Sequence, residues 1–287
     1  MVEIGRGRVD GSVRTHDWLD IVAQQQNIRN GATRLPADVD HLALFIDIDG
    51  TLLGIAPTPD TVLVPPSLIE VLERLVLGLG GAVALLTGRR IADADRLFAP
   101  LKMIAAGVHG TELRSERSGS ILMLAPPVSP EFVQAVNRIG ELSPGILIEQ
   151  KGAGMAVHYR NAPETTAMVI AELNRIVAAD AYDITLRRGR KVIEALPRGF
   201  SKATALTWLA ERPPFKGRLP VMIGDDVGDE SALQLAEKLG GVGLRVAGEH
   251  FAHAQADFDG VDSVRAWLTE LVRRVEGTTR TAHRPTV

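Results

Sequence analysis

Cysteine is absent from the 287-residue chain, which excludes disulfides, cysteine-based zinc sites, iron–sulfur clusters and a thiol nucleophile. Aromatic residues make up only 4% of the chain, too few for the usual base-stacking surface of a nucleic-acid binder. No apolar run approaches the ~18–20 residues that a membrane helix needs, and the N-terminus lacks the apolar stretch of a secretory signal. The formal net charge is only −3, so no cationic field attracts nucleic acid or anionic membranes. We therefore expect a soluble, cytoplasmic protein with no nucleic-acid or membrane partner.

The remaining composition is that of a globular protein, with 45% apolar and 23% charged residues. Apolar strands at Leu42–Asp47, Ala82–Leu86 and Lys102–Ala106 alternate with helical patterns, which predicts a parallel sheet covered by helices on both faces. The same alternation returns after Ser201. Between these parts, two helical segments are surrounded by five predicted strands: Ile121–Leu124, Ile146–Lys151, Met155–Arg160, Tyr182–Leu186 and Lys191–Leu196.

The pattern predicts an α/β fold, in which a Rossmann-like parallel-sheet core is interrupted by an inserted α+β domain. The predicted divisions are an N-terminal extension (1–34), a core in two parts (35–108 and 196–276), an insertion (109–195) and a C-terminal tail (277–287).

Two carboxylates follow the first predicted strand, in the segment Asp47–Leu52 (Asp-Ile-Asp-Gly-Thr-Leu). Residues at i and i+2 beyond a strand end can both face a site at the carboxyl edge of the sheet, where open α/β folds bind ligands. An ordinary Asp-Gly turn is the alternative interpretation of this hexapeptide taken alone.

A denser group of acids follows the predicted strand Leu219–Ile223, where Asp225, Asp226, Asp229 and Glu230 place four acids within six residues. Such acids repel one another unless a cation holds them, and Mg²⁺ prefers carboxylate oxygens and water. The alternative is that they cap the following helix, which explains Asp229 well but not Asp225 and Asp226.

Two weaker signals lie at compatible places in the predicted core. Thr87, Gly88 and Arg89 follow the second strand, and their hydroxyl and backbone N–H groups form a natural phosphate site at a helix start. Lys202 begins another core helix. Taken alone, each is as well explained by a helix cap or a solvated lysine.

In their order along the chain, these four motifs resemble those of the haloacid dehalogenase superfamily of phosphatases. Further segments narrow the resemblance to the trehalose-6-phosphate phosphatase family. They are Ala106–Arg114, which contains the His109-Gly110-Thr111-Glu112 segment, Ile148–Lys151, Ala156–Arg160, and Lys191–Pro197, which leads to Lys202. The similarity covers roughly residues 40–275, and the insertion corresponds to that family's cap domain.

The resemblance implies hydrolysis of trehalose 6-phosphate through an aspartyl-phosphate. In this scheme Asp47 is the nucleophile, Asp49 the general acid and base, and Thr87 and Lys202 hold the phosphoryl oxygens. Mg²⁺ lies between Asp47, the Asp49 backbone carbonyl and Asp225, while Asp226 and Asp229 orient Lys202 and metal-bound water.

The same resemblance implies a set of substrate-binding residues, several of them on the cap. These are Gly88, Arg89, His109, Gly110, Glu112, Glu149, Lys151, His158, Arg160 and Glu194.

The sequence departs from the family pattern at three positions, because Val108 precedes His-Gly, Arg90 replaces a common Pro and Gly228 replaces a usual Thr. None of these changes removes a catalytic group. Two rival functions remain, namely a phosphatase for another sugar phosphate and a catalytically silent sugar-phosphate sensor. The expected partner is a small sugar phosphate, and association with a trehalose-phosphate synthase is left open.

Overall fold

A computed structural model describes residues 39–56, 62–179, 183–189 and 191–282 of the chain. The predicted N-terminal extension 1–34 therefore lies outside the described residues. The strands are β1 (Leu42–Ile46), β2 (Val83–Leu86), β3 (Ile104–Gly107), β4 (Glu112–Arg114), β5 (Leu122–Met123), β6 (Leu147–Lys151), β7 (Gly154–His158), β8 (Ile184–Gly189), β9 (Val192–Pro197), β10 (Leu219–Gly224) and β11 (Val242–Arg245). The helices are α1 (Pro66–Gly78), α2 (Ile91–Leu97), α3 (Pro130–Gly140), α4 (Thr166–Ala179), α5 (Lys202–Ala210), α6 (Val227–Lys238) and α7 (Val261–Ala282).

The larger of two sheets has seven strands in the order β11-β10-β1-β2-β3-β4-β5. The first five are mutually parallel, which confirms the predicted α/β core, while β4 and β5 add an antiparallel edge. Strand β4 was not predicted, and the strand expected at Ile121–Leu124 belongs to this sheet rather than to the insertion. The interpretation of that strand was wrong because an apolar pattern shows that a strand exists, but only its pairing, here Leu113 with Leu122, shows which sheet it joins.

Helices cover both faces of this sheet, which explains why β1 is apolar at every position. Leu44 and Ile46 face the layer of α1, α2 and α7, and Ala43 and Phe45 face the layer of α5 and α6. Phe45 stacks on Phe215 with ring centroids 5.0 Å apart. The carboxylate that follows β1 is thus placed by a strand anchored on both sides.

The smaller sheet is antiparallel, with four strands in the order β6-β7-β9-β8. Helices α3 and α4 cover one face, where Phe132 and Leu173 pack with Met155, Val157 and Tyr159. These three residues alternate along the chain and therefore share one face of the sheet. The opposite face is left for polar side chains, and the exact domain boundaries stay a prediction.

The C-terminal helix α7 runs to Ala282, inside the stretch 277–287 that was expected to be a tail. Its buried side chains, including Val264, Leu268 and Leu271, pack in the same layer as α1. No helix in the described part of the chain combines the length and apolar character needed to cross a bilayer.

A close approach at Gly241, just before β11, generates a stability prediction. A Cβ at this position would lie 1.9 Å from the carbonyl oxygen of Pro220 in β10, so backbone must move to accommodate it. We expect Gly241→Ala to lower the free energy of unfolding by about 1–3 kcal/mol, measured by urea denaturation. Gly248→Ala is the control, since nothing lies within 4 Å there; equal stability of the two variants would contradict this account.

Candidate active site

Four loops that carry predicted site residues meet at the carboxyl edge of the parallel strands. Asp47 follows β1, Thr87 follows β2, His109 follows β3 and Asp225 follows β10. A cavity of about 740 Å³ opens at this edge, lined by residues of both sheets. The predicted site residues that line it are Asp47, Asp49, Gly88, Arg89, His109, Glu149, Lys151, His158, Arg160, Glu194, Lys202, Asp225 and Asp226.

Lys202 lies at the centre of the acidic side of the cavity. Its Nζ donates hydrogen bonds of 2.6 Å to Asp47 Oδ1 and of 2.6 Å to Asp229 Oδ1. The lysine is the first residue of α5, whose start is fixed by a capping box between Ser201 and Thr204. Although burial disfavours its charge, the two carboxylates outweigh this effect and raise the pKa of Lys202 above its ordinary value.

Asp47, Asp225 and Asp229 each offer a carboxylate oxygen, and these oxygens lie within 4.8 Å of one another. Burial and the charge of Asp229 raise the pKa of Asp47 well above its ordinary value, against the opposing effect of Lys202. The same two causes raise the pKa of Asp225 to about 7. One lysine therefore leaves the cluster short of positive charge, and its all-oxygen donor set is the kind that Mg²⁺ prefers.

Gly50 allows Asp225 to approach the Asp-x-Asp-Gly segment. A Cβ at Gly50 would lie 2.0 Å from Asp225 Oδ2, and its φ of +87° is itself disfavoured for other residues. Thr51 next to it donates a 3.0 Å hydrogen bond from Oγ1 to Asp225 Oδ1. The Asp-Gly turn that was the alternative to a functional site is therefore present. It brings the Asp47–Leu52 segment close to the loop that carries Asp225.

Asp226 caps a helix, contrary to the expectation from the sequence. It is the N-cap of α6, with φ −114° and ψ 166°, and its Oδ1 accepts a 2.7 Å hydrogen bond from the backbone N–H of Val227. Asp229 completes the cap by accepting the backbone N–H groups of Asp225 and Asp226 at 3.2 and 3.1 Å. The statement that capping does not explain Asp226 was wrong, because the helix begins at Val227, directly after Asp226.

Asp49 is held from the side by an arginine. Arg89 Nε and Nη2 donate to the two oxygens of the Asp49 carboxylate, each over 2.6 Å. The backbone N–H of Arg89 in turn donates to Thr87 Oγ1 at 3.0 Å. The Thr-Gly-Arg segment therefore fixes the orientation of the second carboxylate of the first motif.

The opposite wall carries a network of charged residues from the smaller sheet. Lys151 Nζ donates to Glu194 Oε1 at 3.2 Å, lies 3.5 Å from Glu149 Oε2 and donates to the Gly88 carbonyl at 3.2 Å. His158 Nε2 lies 3.0 Å from Glu149 Oε2. Burial opposes ionisation of Glu194, but its interactions with His109 and Lys151 outweigh burial and lower the pKa of that carboxyl well below its usual range.

Four predicted site residues do not line the cavity, namely Thr87, Gly110, Glu112 and Asp229. Glu112 is 1% exposed and its carboxylate accepts the backbone N–H of Ile91 at 2.7 Å and Arg90 Nε at 3.3 Å. Ile91 opens α2, so Glu112 satisfies a helix-start N–H group. The contacts of Glu112 are therefore those of a residue that supports the Arg89–Arg90 loop, in place of the sugar contact expected from the sequence.

Sequence reasoning missed further residues at the site, among them His250 and Arg187. His250 lies in the loop after β11 and lines the cavity. Its position after a core strand was a usable signal. Arg187 in β8 reaches His109 and the Phe200 carbonyl, and no local pattern marks it, because its partners lie 78 and 13 residues away.

Comparison with known proteins agrees with this arrangement. The trehalose-phosphatase family model matches residues 45–258. The chain is 41% identical over 217 residues to the "Probable trehalose-phosphate phosphatase" of Sinorhizobium fredii, covering 74% of this chain and 80% of that protein. It is 35% identical over 237 residues to the trehalose-6-phosphate phosphatase of Escherichia coli, with coverages of 82% and 88%.

Solved structures share the fold at lower sequence identity. The C-terminal domain of Candida albicans trehalose-6-phosphate phosphatase superposes with a TM-score of 0.71 at 20% identity, covering 82% of this chain and 93% of that chain. A haloalkanoate-superfamily phosphatase from Bacteroides thetaiotaomicron gives 0.55 at 18% identity, covering 83% and 97%. The matched family model, the two relatives and the motif-bearing strand ends together show that this chain belongs to the trehalose-phosphatase family, on a haloacid dehalogenase-type fold.

Proposed function

We propose that the protein hydrolyses trehalose 6-phosphate to trehalose and phosphate, through an aspartyl-phosphate on Asp47 and with Mg²⁺ as cofactor. One observation carries this proposal: the Asp47–Lys202 pair and the Glu149–Lys151–Glu194 network line the same cavity of about 740 Å³. A phosphate at the acidic side would leave its sugar beside charged groups able to bind hydroxyls. The two relatives, both named as trehalose-phosphate phosphatases, support trehalose as that sugar.

Asp47 is the residue that attacks phosphorus. It lines the cavity at the end of β1, and Lys202 holds one of its oxygens. Carboxylates form covalent phosphoryl intermediates of this kind, and the P–O bond to the sugar breaks as the new one forms. Phosphoryl transfer needs mainly positioning and charge neutralisation. Lys202 holds the nucleophile in place, and its positive charge offsets the negative charge of the phosphoryl oxygens.

Asp49 is the general acid and base of the proposal. It lines the cavity two residues beyond Asp47, with its orientation set by Arg89. It gives a proton to the departing sugar oxygen and later takes one from the water that hydrolyses the intermediate. Such proton transfer contributes typically ~10²–10⁴-fold to rate.

Asp47, Asp225 and the Asp49 backbone carbonyl are the groups proposed to hold Mg²⁺, and Asp229 lies close enough to contribute an oxygen. The ion, when bound, supplies positive charge that offsets the repulsion between the carboxylates and the phosphoryl oxygens. Asp226 caps α6 and lies outside the cluster of Asp47, Asp225 and Asp229. We propose that it helps to orient metal-bound water.

Glu149, Lys151, His158, Arg160 and Glu194 are proposed to bind the sugar hydroxyls. All five line the cavity on the side of the smaller sheet. A substrate that reaches both walls of the cavity is recognised through its sugar as well as through its phosphate. Association with a trehalose-phosphate synthase and a cytoplasmic location stay predictions.

Asp47→Asn tests the nucleophile. The amide is nearly isosteric but a poor nucleophile, so we expect no measurable multiple turnover on trehalose 6-phosphate while the thermal unfolding midpoint is retained. Phosphate release and thermal melting are the measurements, with exposed Asp259→Asn as the control. Sustained turnover by Asp47→Asn would remove this residue from its proposed role.

Metal removal tests the cofactor. We expect EDTA to stop phosphate release and Mg²⁺ to restore it. Mg²⁺ should also raise the unfolding temperature of the wild type, since a ligand that binds the folded state stabilises it. Asp225→Asn should need far more Mg²⁺ for both effects, whereas Asp259→Asn should behave as the wild type. Full activity in metal-free buffer would refute the cofactor assignment.

Truncation of the charged wall tests the sugar. A hydrogen bond to a charged group contributes roughly 1.5–3 kcal/mol, so we expect Lys151→Ala and Glu194→Ala each to lower kcat/KM for trehalose 6-phosphate about 10–150-fold. Hydrolysis of p-nitrophenyl phosphate, which has no sugar hydroxyls, should change little. Exposed Glu164→Ala is the matched control. Equal losses on both substrates would assign these residues to the fold or the chemistry, and a panel of other sugar phosphates would identify a different sugar.

A further inference from the structure

Arg187 connects the smaller sheet to two loops of the larger one. It lies half-buried in β8, paired with Glu194 of β9 in the strand register. Its Nη1 lies 3.2 Å from Nδ1 of His109, and its Nη2 donates to the carbonyl oxygen of Phe200 at 3.4 Å. Phe200 is two residues before Lys202, so one guanidinium touches both the His109 loop and the approach to α5.

The His109 ring is held firmly in its place. Val108 and His109 both have left-handed backbone conformations, with φ of +44° and +53°. A Cβ at Gly88 would lie 2.7 Å from His109 Nε2, and one at Gly228 would lie 3.6 Å from Cε1. The His109 side chain is 8% exposed and is enclosed by these two loops, so its nitrogens keep the partners they have.

Those partners decide where the imidazole carries its proton. A guanidinium has only donors, so Nδ1, which faces Arg187, must be the accepting nitrogen. Nε2 lies 2.6 Å from Glu194 Oε2, with an alignment outside that of a regular hydrogen bond. Two acceptors at this distance would repel each other, so the proton is on Nε2.

We propose that Arg187 is a positioning residue that holds His109 as the neutral Nε2–H tautomer, and through it orients the Glu194 carboxylate toward the cavity. This inference rests on the proposed function, because it assigns Arg187 to the sugar-binding side of that site. Glu194 then has the Nε2–H of His109 2.6 Å from Oε2 and a hydrogen bond from Lys151 to Oε1, so a polar group lies beside each of its oxygens.

Nitrogen NMR of the imidazole rings tests the tautomer without any substrate. The chain has seven histidines, and the His109 signals are assigned as those missing from His109→Gln. In the wild type we expect an unprotonated Nδ1 and a protonated Nε2. Arg187→Met should shift this pattern toward the other tautomer or the imidazolium, whereas Arg187→Lys, which keeps a cationic donor without acceptors, should preserve it. The control is Arg188→Met, an exposed neighbour in the same strand.

Kinetics then test the consequence for the substrate. We expect Arg187→Met to lower kcat/KM for trehalose 6-phosphate about tenfold, mainly through KM, and to leave p-nitrophenyl phosphate hydrolysis within about twofold. In a Glu194→Gln background the same change should cost far less, because the two residues act in one network. Thermal melting of each variant confirms that it is folded.

The results separate this inference from the proposed function. A proton on Nδ1 in the wild type, or an unchanged His109 pattern in folded Arg187→Met, would overturn the role of Arg187. Failure of the wild type to hydrolyse trehalose 6-phosphate, alongside the expected NMR pattern, would overturn the substrate and leave the positioning of His109 supported.

Discussion

The contact of Lys202 with Asp47 and Asp229 is the interaction on which the site depends. These three buried side chains come from the end of β1, the start of α5 and the first turn of α6, separated by 155 and 27 residues in sequence. A buried charge is costly unless it is paired, and a partner left alone is strongly destabilising. The acids can therefore gather at this edge only because the lysine is held among them, and a cation can complete what one lysine leaves unbalanced.

The larger and smaller sheets meet across the cavity through contacts between the residues proposed to bind the phosphate and those proposed to bind the sugar. Lys151 donates to the carbonyl of Gly88 in the Thr-Gly-Arg loop, and Glu194 contacts His109 beyond β3. The charged groups proposed to bind the sugar are thus tied to the loops proposed to bind the phosphate. A substrate that satisfies both walls fits one rigid arrangement of charge, which is the basis of preorganised binding and catalysis.

Much of the fold could be predicted because local patterns carry it. Strands β1, β2 and β10 lie where the apolar runs predicted them, and acids follow the ends of β1 and β10 as expected for an open α/β sheet. The edge pair β4 and β5 could not be assigned, because a short strand takes its sheet from its partner. The hydrogen bonds of Glu112 could not be predicted for a similar reason. Its position at the insertion boundary was visible, but the backbone N–H that it satisfies belongs to a helix 21 residues earlier.

The order of the motifs, the alternation of strands and helices and the sheet edge where the acids gather could all be derived from the sequence, since these follow from side-chain periodicity and strand-end position. The partner of each charged group is visible only in the folded chain. Asp226 became a helix cap, Arg89 a clamp on Asp49, and Arg187 a neighbour of His109. The reason is physical: hydrogen bonds and ion pairs act over about 3 Å, and sequence separation does not show which side chains folding brings within that distance.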